Sequence, residues 1–289
     1  MYEKVEECPI CKKKQFDNYM ICDDHSVTGE SFAIVKCTSC GFVFTNPRPA
    51  AASLGKYYES NEYISHTDKA NSPIHLIYKL VRNYTLNQKV SILDRILNRK
   101  GSVLDYGCGT GHFVQTARKK GWQAFGYEPD DQARKLADIK NPSCILDSIA
   151  KCPDEIDIIT AWHVIEHVAD INTTIKQLIK KLKTGGHIIM ALPNHRSMDA
   201  QHYQEYWAAY DVPRHLSHFD QDSMRQLAKK FKLTLKETLP MKFDSFYVSM
   251  LSEKYKGGSI LNALTTGLKS NNKAKSTGEY SSLIYIFQK

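Results

Sequence analysis

The run Val103-Leu104-Asp105-Tyr106-Gly107-Cys108-Gly109-Thr110-Gly111 limits the possible folds more than any other stretch of this chain. An apolar segment ends in an acid, and three glycines then alternate with small or polar residues before a helical pattern opens at His112. That order reads as a buried parallel strand turning sharply into a helix. Glycine permits the turn and lets a ligand approach the main chain, while the start of the helix offers free N–H groups. The stretch is therefore a nucleotide-type binding loop.

The rest of the C-terminal two thirds supports such a fold. Strand patterns at 103–106, 122–127, 144–146, 156–161, 187–192, 233–239 and 282–287 alternate with helical patterns at 112–120, 131–139, 173–182 and 222–231. Alternation of this kind predicts an α/β fold, a parallel sheet covered by helices on both faces. Upstream, residues 53–97 read as helical, with Ile74, Ile77, Leu80 and Val81 on one face and aromatic residues at Tyr57, Tyr58, Tyr63, Tyr78 and Tyr84. Most of these tyrosines are expected to pack. Tyr63 and His66 fall in a polar break where a lid over a cofactor can form. Lys269 to Gly278 is low in complexity and predicts a loop.

The ligand follows from what surrounds the loop. A dinucleotide site wants G-x-G-x-x-G, but the third glycine position is His112 here. A phosphate-cradling loop ending in Gly-Lys-Ser/Thr is absent. Asp105 is awkward for a pyrophosphate and suits a cationic amino group. Glu128, in Gly126-Tyr127-Glu128-Pro129-Asp130, stands 23 positions after Asp105, an offset at which an acid can bond both ribose hydroxyls. A ligand with an amino-acid tail, a ribose and no phosphate is S-adenosylmethionine.

These segments, with Trp162-His163-Val164-Ile165-Glu166-His167-Val168 and Leu182-Lys183-Thr184-Gly185-Gly186, resemble the signatures of class I S-adenosylmethionine-dependent methyltransferases. The subgroup is similar to the ubiquinone-biosynthesis O-methyltransferases and to small-molecule and sugar methyltransferases. The resemblance covers roughly residues 100 to 240. It implies a seven-stranded Rossmann-like sheet of order 3-2-1-4-5-7-6 with the last strand antiparallel. It also implies that Asp105, Gly107, Cys108 and Gly109 hold the methionine part and Glu128 the ribose. Asp147 would bond the adenine amino group, and Trp162 would lie beside the cofactor. For Asp147 the alternative is a loop residue capping the next helix.

The N-terminus carries a second pattern. Cys8-Pro9-Ile10-Cys11 and Cys37-Thr38-Ser39-Cys40 are two CxxC knuckles, a ligand set suited to a tetrahedral structural zinc. Glu30 to Lys36 reads as a strand between them, so the unit resembles a zinc ribbon of the kind that precedes some of these enzymes. Cys22 and His25 form a competing CxxH pair. Phe42-Val43-Phe44-Thr45-Asn46-Pro47-Arg48-Pro49 ends in a proline-punctuated linker. The expected division is a zinc-ribbon-like domain over 1–50, a helical lid or linker over 51–100 and the methyltransferase domain over 101–289.

Composition bounds the setting. Eight cysteines without an export-signal pattern argue for thiols or metal over a disulfide framework, and a cytoplasmic protein is expected. No apolar run is long enough to cross a membrane. The formal charge of +8 suits a phosphorylated or nucleic-acid partner but is equally a solvated lysine surface.

The expected reaction is methyl transfer to a hydroxyl or carbon of a small or sugar-linked acceptor, an in-line displacement in which alignment supplies much of the rate. His163, at the carboxyl end of the strand over 156–161, is the first choice of base, with His167 second. In relatives a Glu-His pair here buttresses the loop, the other reading of Glu166 and His167. His163, Glu166 and His167 are also spaced to share a cation. Tyr206, Trp207 and Tyr210 can stack on an acceptor ring, and Arg214, His215 and His218 can meet an anionic or hydroxylated group. Rival readings are an RNA methyltransferase using the ribbon to bind RNA and a non-catalytic S-adenosylmethionine-binding module. An Asn/Asp-Pro-Pro-aromatic loop is absent where Thr160 to His163 stand, as is a nucleophilic cysteine, which counts against two classes of base methylase.

Overall fold

A computed structural model describes residues 1–58 and 73–289, with side chains described from residue 80 onward in the second stretch. In chain order the strands are β1 (Tyr2–Glu3), β2 (Phe16–Asp23), β3 (Ser31–Cys37), β4 (Val43–Thr45), β5 (Arg48–Pro49), β6 (Ser102–Tyr106), β7 (Gln123–Tyr127), β8 (Ile145–Leu146), β9 (Ile156–Trp162), β10 (Leu182–Pro193), β11 (Ser217–His218), β12 (Thr234–Pro240) and β13 (Ser282–Gln288). The α-helices are α1 (Pro73–Leu97), α2 (His112–Lys119), α3 (Asp131–Lys140), α4 (Ile171–Lys181), α5 (Met198–Tyr203), α6 (Gln221–Lys230), α7 (Asp244–Lys256) and α8 (Ile260–Thr277).

Seven strands form one sheet in the order β12-β13-β10-β9-β6-β7-β8, with β13 antiparallel, which is the expected 3-2-1-4-5-7-6 arrangement. β6 runs parallel to β7 and β9, with Asp105 level with Gly126 on one side and Thr160 on the other. The strands at its centre are apolar because they are covered on both faces: Val103, Leu104, Ile158, Ile159 and Ile188 to Leu192 are buried. At about 1.5–3 kcal/mol per buried aliphatic side chain, this sheet is a main source of stability.

By contacts the chain falls into two compact units, whereas the division at residues 50 and 100 follows the sequence. One unit holds residues 1–58, Ile165–Thr174 and Ala191–Ile286; the other holds 73–164, Ile175–Met190 and Phe287–Lys289. In the first unit β2, β3 and β4 make an antiparallel sheet, and β11 joins its edge by pairing Ser217 with Phe44 and His218 with Val43. One core there combines Phe32, Ile34 and Val43 of these strands with Tyr57, Tyr203, Trp207, Tyr210 and Val248. Tyr57 is the packed tyrosine that was expected, whereas Tyr84 is exposed. Tyr63 and His66, the lid candidates, lie outside the described residues.

The loop expected over 269–278 is a helix. α8 starts on Ser259, whose side chain accepts the Asn262 N–H, and stops at Gly278 in the left-handed conformation. Its buried positions are Ala263, Thr266, Gly267, Ser270 and Ala274, at helical spacing but small or polar. Ile260, Leu261 and Leu268 point outward. Apolar periodicity therefore aims at the wrong face. The small face lets α8 pack closely on α7: a Cβ on Gly267 would stand 2.7 Å from Phe246 Cδ1 and 3.2 Å from its Cα. Alanine favours helix by about 1 kcal/mol over glycine, yet here overpacking should dominate. Gly267→Ala is expected to destabilise by about 1–3 kcal/mol, read as a lower denaturant midpoint; an unchanged or higher midpoint would refute the close contact.

Candidate functional site

Asp105, one residue before the end of β6, has 3% of its surface exposed and accepts a 2.7 Å hydrogen bond from Thr160 Oγ1. Burial pushes its carboxyl up to about 7, against the opposing influence of Thr160 and Lys89. The turn that follows uses positive φ at Gly107, Gly109 and Gly111. Two of these glycines are required by their neighbours. A Cβ on Gly107 would meet the Val164 methyls at 2.7 Å, and one on Gly111 would meet Asn141 Nδ2 at 2.6 Å. Gly109 differs, because a Cβ there would meet nothing within 4 Å. Its open side is the face a ligand can approach. Cys108 packs inward beside Gly126, filling space rather than facing outward.

Glu128 directly follows the neighbouring strand, β7, and is buried. One carboxylate oxygen accepts the Gly109 N–H at 2.7 Å and the other the Asp130 N–H at 3.0 Å. Burial holds its carboxyl above the usual range. Those two bonds fix its orientation and leave lone pairs for further donors. Asp147, after β8, is exposed and paired with Lys151 at 2.8 Å. It lines an open cleft with Arg134, Asp138, Ile145 and Leu146.

Trp162 closes β9. Phe113 stands edge-on to it at 5.5 Å, and Lys89 Nζ lies 4.4 Å above its ring. Its buried Nε1 has no hydrogen-bond partner among the described residues. His163 follows with φ 56, a conformation uncommon for any residue with a side chain. Backbone outliers of this kind gather at functional sites, where surrounding structure holds them in place. Asp105, Gly107, Cys108, Gly109, Glu128, Asp147, Trp162 and His163 all belong to one compact unit.

That half of the chain fits S-adenosylmethionine on its own geometry. A buried carboxylate whose acid range reaches neutrality, a fixed acid at the next strand end, an open glycine and an orphaned indole N–H match a ligand with an ammonium group, a ribose and an apolar ring system.

The remaining candidates belong to the other unit. His167 lies in a short 3-10 turn, Ile165–His167, with Nδ1 at 3.1 Å from both the Tyr58 hydroxyl and the Arg214 carbonyl. Burial, reinforced by His215, lowers its pKa to about 4. Trp207 and Tyr210 are core residues in edge-to-face contact, and Trp207 Nε1 donates to the buried Asp199 at 2.8 Å. Arg214 is a buried cation held by Asp24 at 3.0 Å, by Asp211 at 2.7 Å and by the Tyr57 carbonyl. His218 is buried and 3.1 Å from Thr45 Oγ1. Tyr206 is half-buried and stacks on His25. The sequence does not single out Asp24, Asp199 and Asp211, because buried acids read like surface ones and Asp24 meets Arg214 from 190 positions away.

The sulfur atoms of Cys8, Cys11, Cys37 and Cys40 lie within 4.8 Å of one another, with the Cys8–Cys40 and Cys11–Cys37 pairs at 3.5 Å. Thiolates on one tetrahedral zinc stand about 3.8 Å apart, given a Zn–S bond of about 2.3 Å. Both knuckles turn through a left-handed residue just after their second cysteine, Lys12 (φ 66) and Gly41 (φ 77). The Gln226 and Lys230 side chains, from α6, donate to carbonyls of the two knuckles. Cys22 and His25 are not part of the cluster: Cys22 is in the core, and His25 is stacked between Tyr206 and Tyr255.

Residues 79–238 match the family model described as a methyltransferase domain. A ubiquinone biosynthesis O-methyltransferase of Yersinia pestis is 28% identical over 134 residues, covering 42% of this chain and 52% of the relative. The chain thus spans about half the length of the curated relatives it matches. Among solved structures, a magnesium protoporphyrin IX methyltransferase of Synechocystis with bound SAH is similar at TM-score 0.54 and 12% identity, covering 83% of this chain and all of that one. The same Synechocystis enzyme with bound SAM gives a TM-score of 0.50 over 81% of this chain and 93% of its own. The family match covers more than half of the chain and the sheet order agrees with it, so the chain belongs to the methyltransferase domain family, with the fold of the class I S-adenosylmethionine-dependent methyltransferases.

Proposed function

We propose that this chain transfers a methyl group from S-adenosylmethionine to a hydroxyl or carbon of a small or sugar-linked acceptor. The observation that carries this reading is the buried Asp105 at the mouth of the open glycine turn, one strand from the fixed Glu128. When bound, the cofactor supplies an electrophilic methyl group. Asp105 holds the cofactor's ammonium, Glu128 accepts from its ribose hydroxyls, and Asp147 accepts from the adenine amino group across the open cleft. Trp162 flanks it with an apolar face and an available N–H. Cys108 shapes the loop from behind.

His163 is the proposed base: it would take the acceptor's proton as the acceptor bonds to the methyl carbon and the sulfur–methyl bond breaks, its electron pair going to sulfur. Its unusual backbone conformation supports a functional role at the end of β9. On the acceptor side, the half-buried Tyr206 is the proposed contact. The burial of Trp207, Tyr210 and Arg214 favours a different part for them, holding that segment in shape. Cys8, Cys11, Cys37 and Cys40 are proposed to hold a structural zinc, which suits a set of four thiolates with no open position.

Three outcomes test this reading. Ionised Asp105 attracts an ammonium and the neutral acid does not. With its carboxyl pushed up to about 7 in the free chain, affinity for S-adenosylmethionine should rise by up to tenfold per pH unit as pH climbs towards 7, then level off. Calorimetric titration from about pH 5.5 to about pH 7.5 checks this, and Asp105→Asn should flatten the profile; a flat profile in the unaltered chain would remove Asp105 from the role. His163→Ala should lower turnover by about 10²–10⁴-fold while cofactor affinity stays near its original value, measured with radiolabelled cofactor and metabolite fractions; full activity would exclude the base. Elemental analysis should find zinc in the freshly purified chain and about one ion per chain less in Cys37→Ser, and zinc content unaffected by that change would refute the cysteine site.

A further inference from the structure

We propose that Glu166, His167 and His215 bind one divalent transition-metal ion at a site separate from the four cysteines. Their ligand atoms lie within 4.8 Å of one another, although His215 is far from the other two in sequence. Glu166 is 1% exposed, His215 is 8% exposed and His167 is half-buried. The two segments are held together by the main chain, since the Leu216 N–H donates to the Glu166 carbonyl at 2.8 Å.

The imidazoles are arranged as metal ligands are. His167 Nδ1 is 3.1 Å from the Arg214 carbonyl, and His215 Nδ1 is 2.8 Å from the Ala209 carbonyl. A carbonyl only accepts, so each Nδ1 donates its proton there and Nε2 is the ring atom left to meet a metal. Metal-bound histidines almost always donate the other ring N–H in this way, which fixes tautomer and ring orientation. The Tyr58 hydroxyl, also 3.1 Å from His167 Nδ1, adds a further restraint on that ring. The rings meet edge to face with centroids 4.5 Å apart. Asp211 approaches His215 Nε2 only to 3.9 Å and is engaged with Arg214, so it is not counted as a ligand.

Two imidazoles and one carboxylate suit zinc, manganese, iron or cobalt, and three protein ligands leave positions open on the ion. Ligands on such an ion stand about 3–3.5 Å apart, which small side-chain rotations from the present positions can reach. The sequence spacing pointed to His163, Glu166 and His167; the three-dimensional cluster has His215 in place of His163. The proposal concerns metal binding and does not depend on the methyl-transfer reading.

Cobalt separates this site from the cysteine cluster. The full chain, stripped and then loaded with cobalt chloride, is expected to hold about two ions: one in a four-sulfur site with intense thiolate charge-transfer absorption, one in a nitrogen–oxygen site with weak visible bands only. Glu166→Gln and His215→Ala should each reduce the content to about one ion while the sulfur bands persist. Cys37→Ser should remove those bands and leave the weak ones. Persistence of the thiolate spectrum also reports that the variants remain folded. A single cobalt per unaltered chain, with the sulfur spectrum alone, would overturn the proposal, as would two ions that survive both Glu166→Gln and His215→Ala.

Discussion

A carboxylate buried near the end of a strand covered on both faces is costly unless something compensates it, and Asp105 is placed in that position on β6. Thr160, level with it on β9, supplies one hydrogen bond. The glycine turn begins immediately after, with Gly107 forced by the Val164 methyls and Gly109 left open. Parallel pairing with β7 then brings Glu128 to the same end of the sheet, where it accepts the Gly109 N–H. The two acids and the turn form one structure: the sheet sets their spacing, and the turn exposes main chain between them. Open α/β sheets place ligands at the carboxyl ends of their strands for this reason.

The other compact unit is assembled by different means. Its N-terminal strands are too few to bury a core alone, and they share one with residues from 200 to 212 and with Val248. β11 extends their sheet, while α6 side chains satisfy carbonyls of both cysteine knuckles. The cysteine cluster and the apolar core therefore belong to the same unit. Buried acids organise its interior: Asp199 accepts from Trp207, Ser270 and Ser281, and Asp24 with Asp211 neutralises Arg214. A buried cation with two acids and a carbonyl is costly to disturb singly, since removing one partner strands the others.

The glycine loop and its neighbouring acids were legible in the sequence because each depends on local spacing or on a short motif, and the strand order followed only from the family resemblance that those motifs carry. Helices α7 and α8 were not legible, because their buried faces are mostly small or polar, with Ser245, Ser249 and Ser252 on α7 and Ala263, Gly267, Ser270 and Ala274 on α8, while Tyr247, Met250, Leu261 and Leu268 face outward. The aromatic segment from Tyr203 to Phe219 showed the right chemistry for stacking, but composition does not distinguish a ring that lines a pocket from one packed in a core. Trp207 and Tyr210 prove to be packed. The cysteine cluster was visible because its ligands come in pairs. The grouping of Glu166 and His167 with His215 was not, since only the fold brings the third residue to the other two.

The turn after β6 is suited to a cationic sulfonium nucleoside and not to a dinucleotide. Parallel calorimetric titrations of the full chain with S-adenosylmethionine and with NAD distinguish the two. Saturable binding of S-adenosylmethionine with no heat from NAD is the expected result. Saturable binding of NAD, or no binding of S-adenosylmethionine by the folded chain, would contradict it.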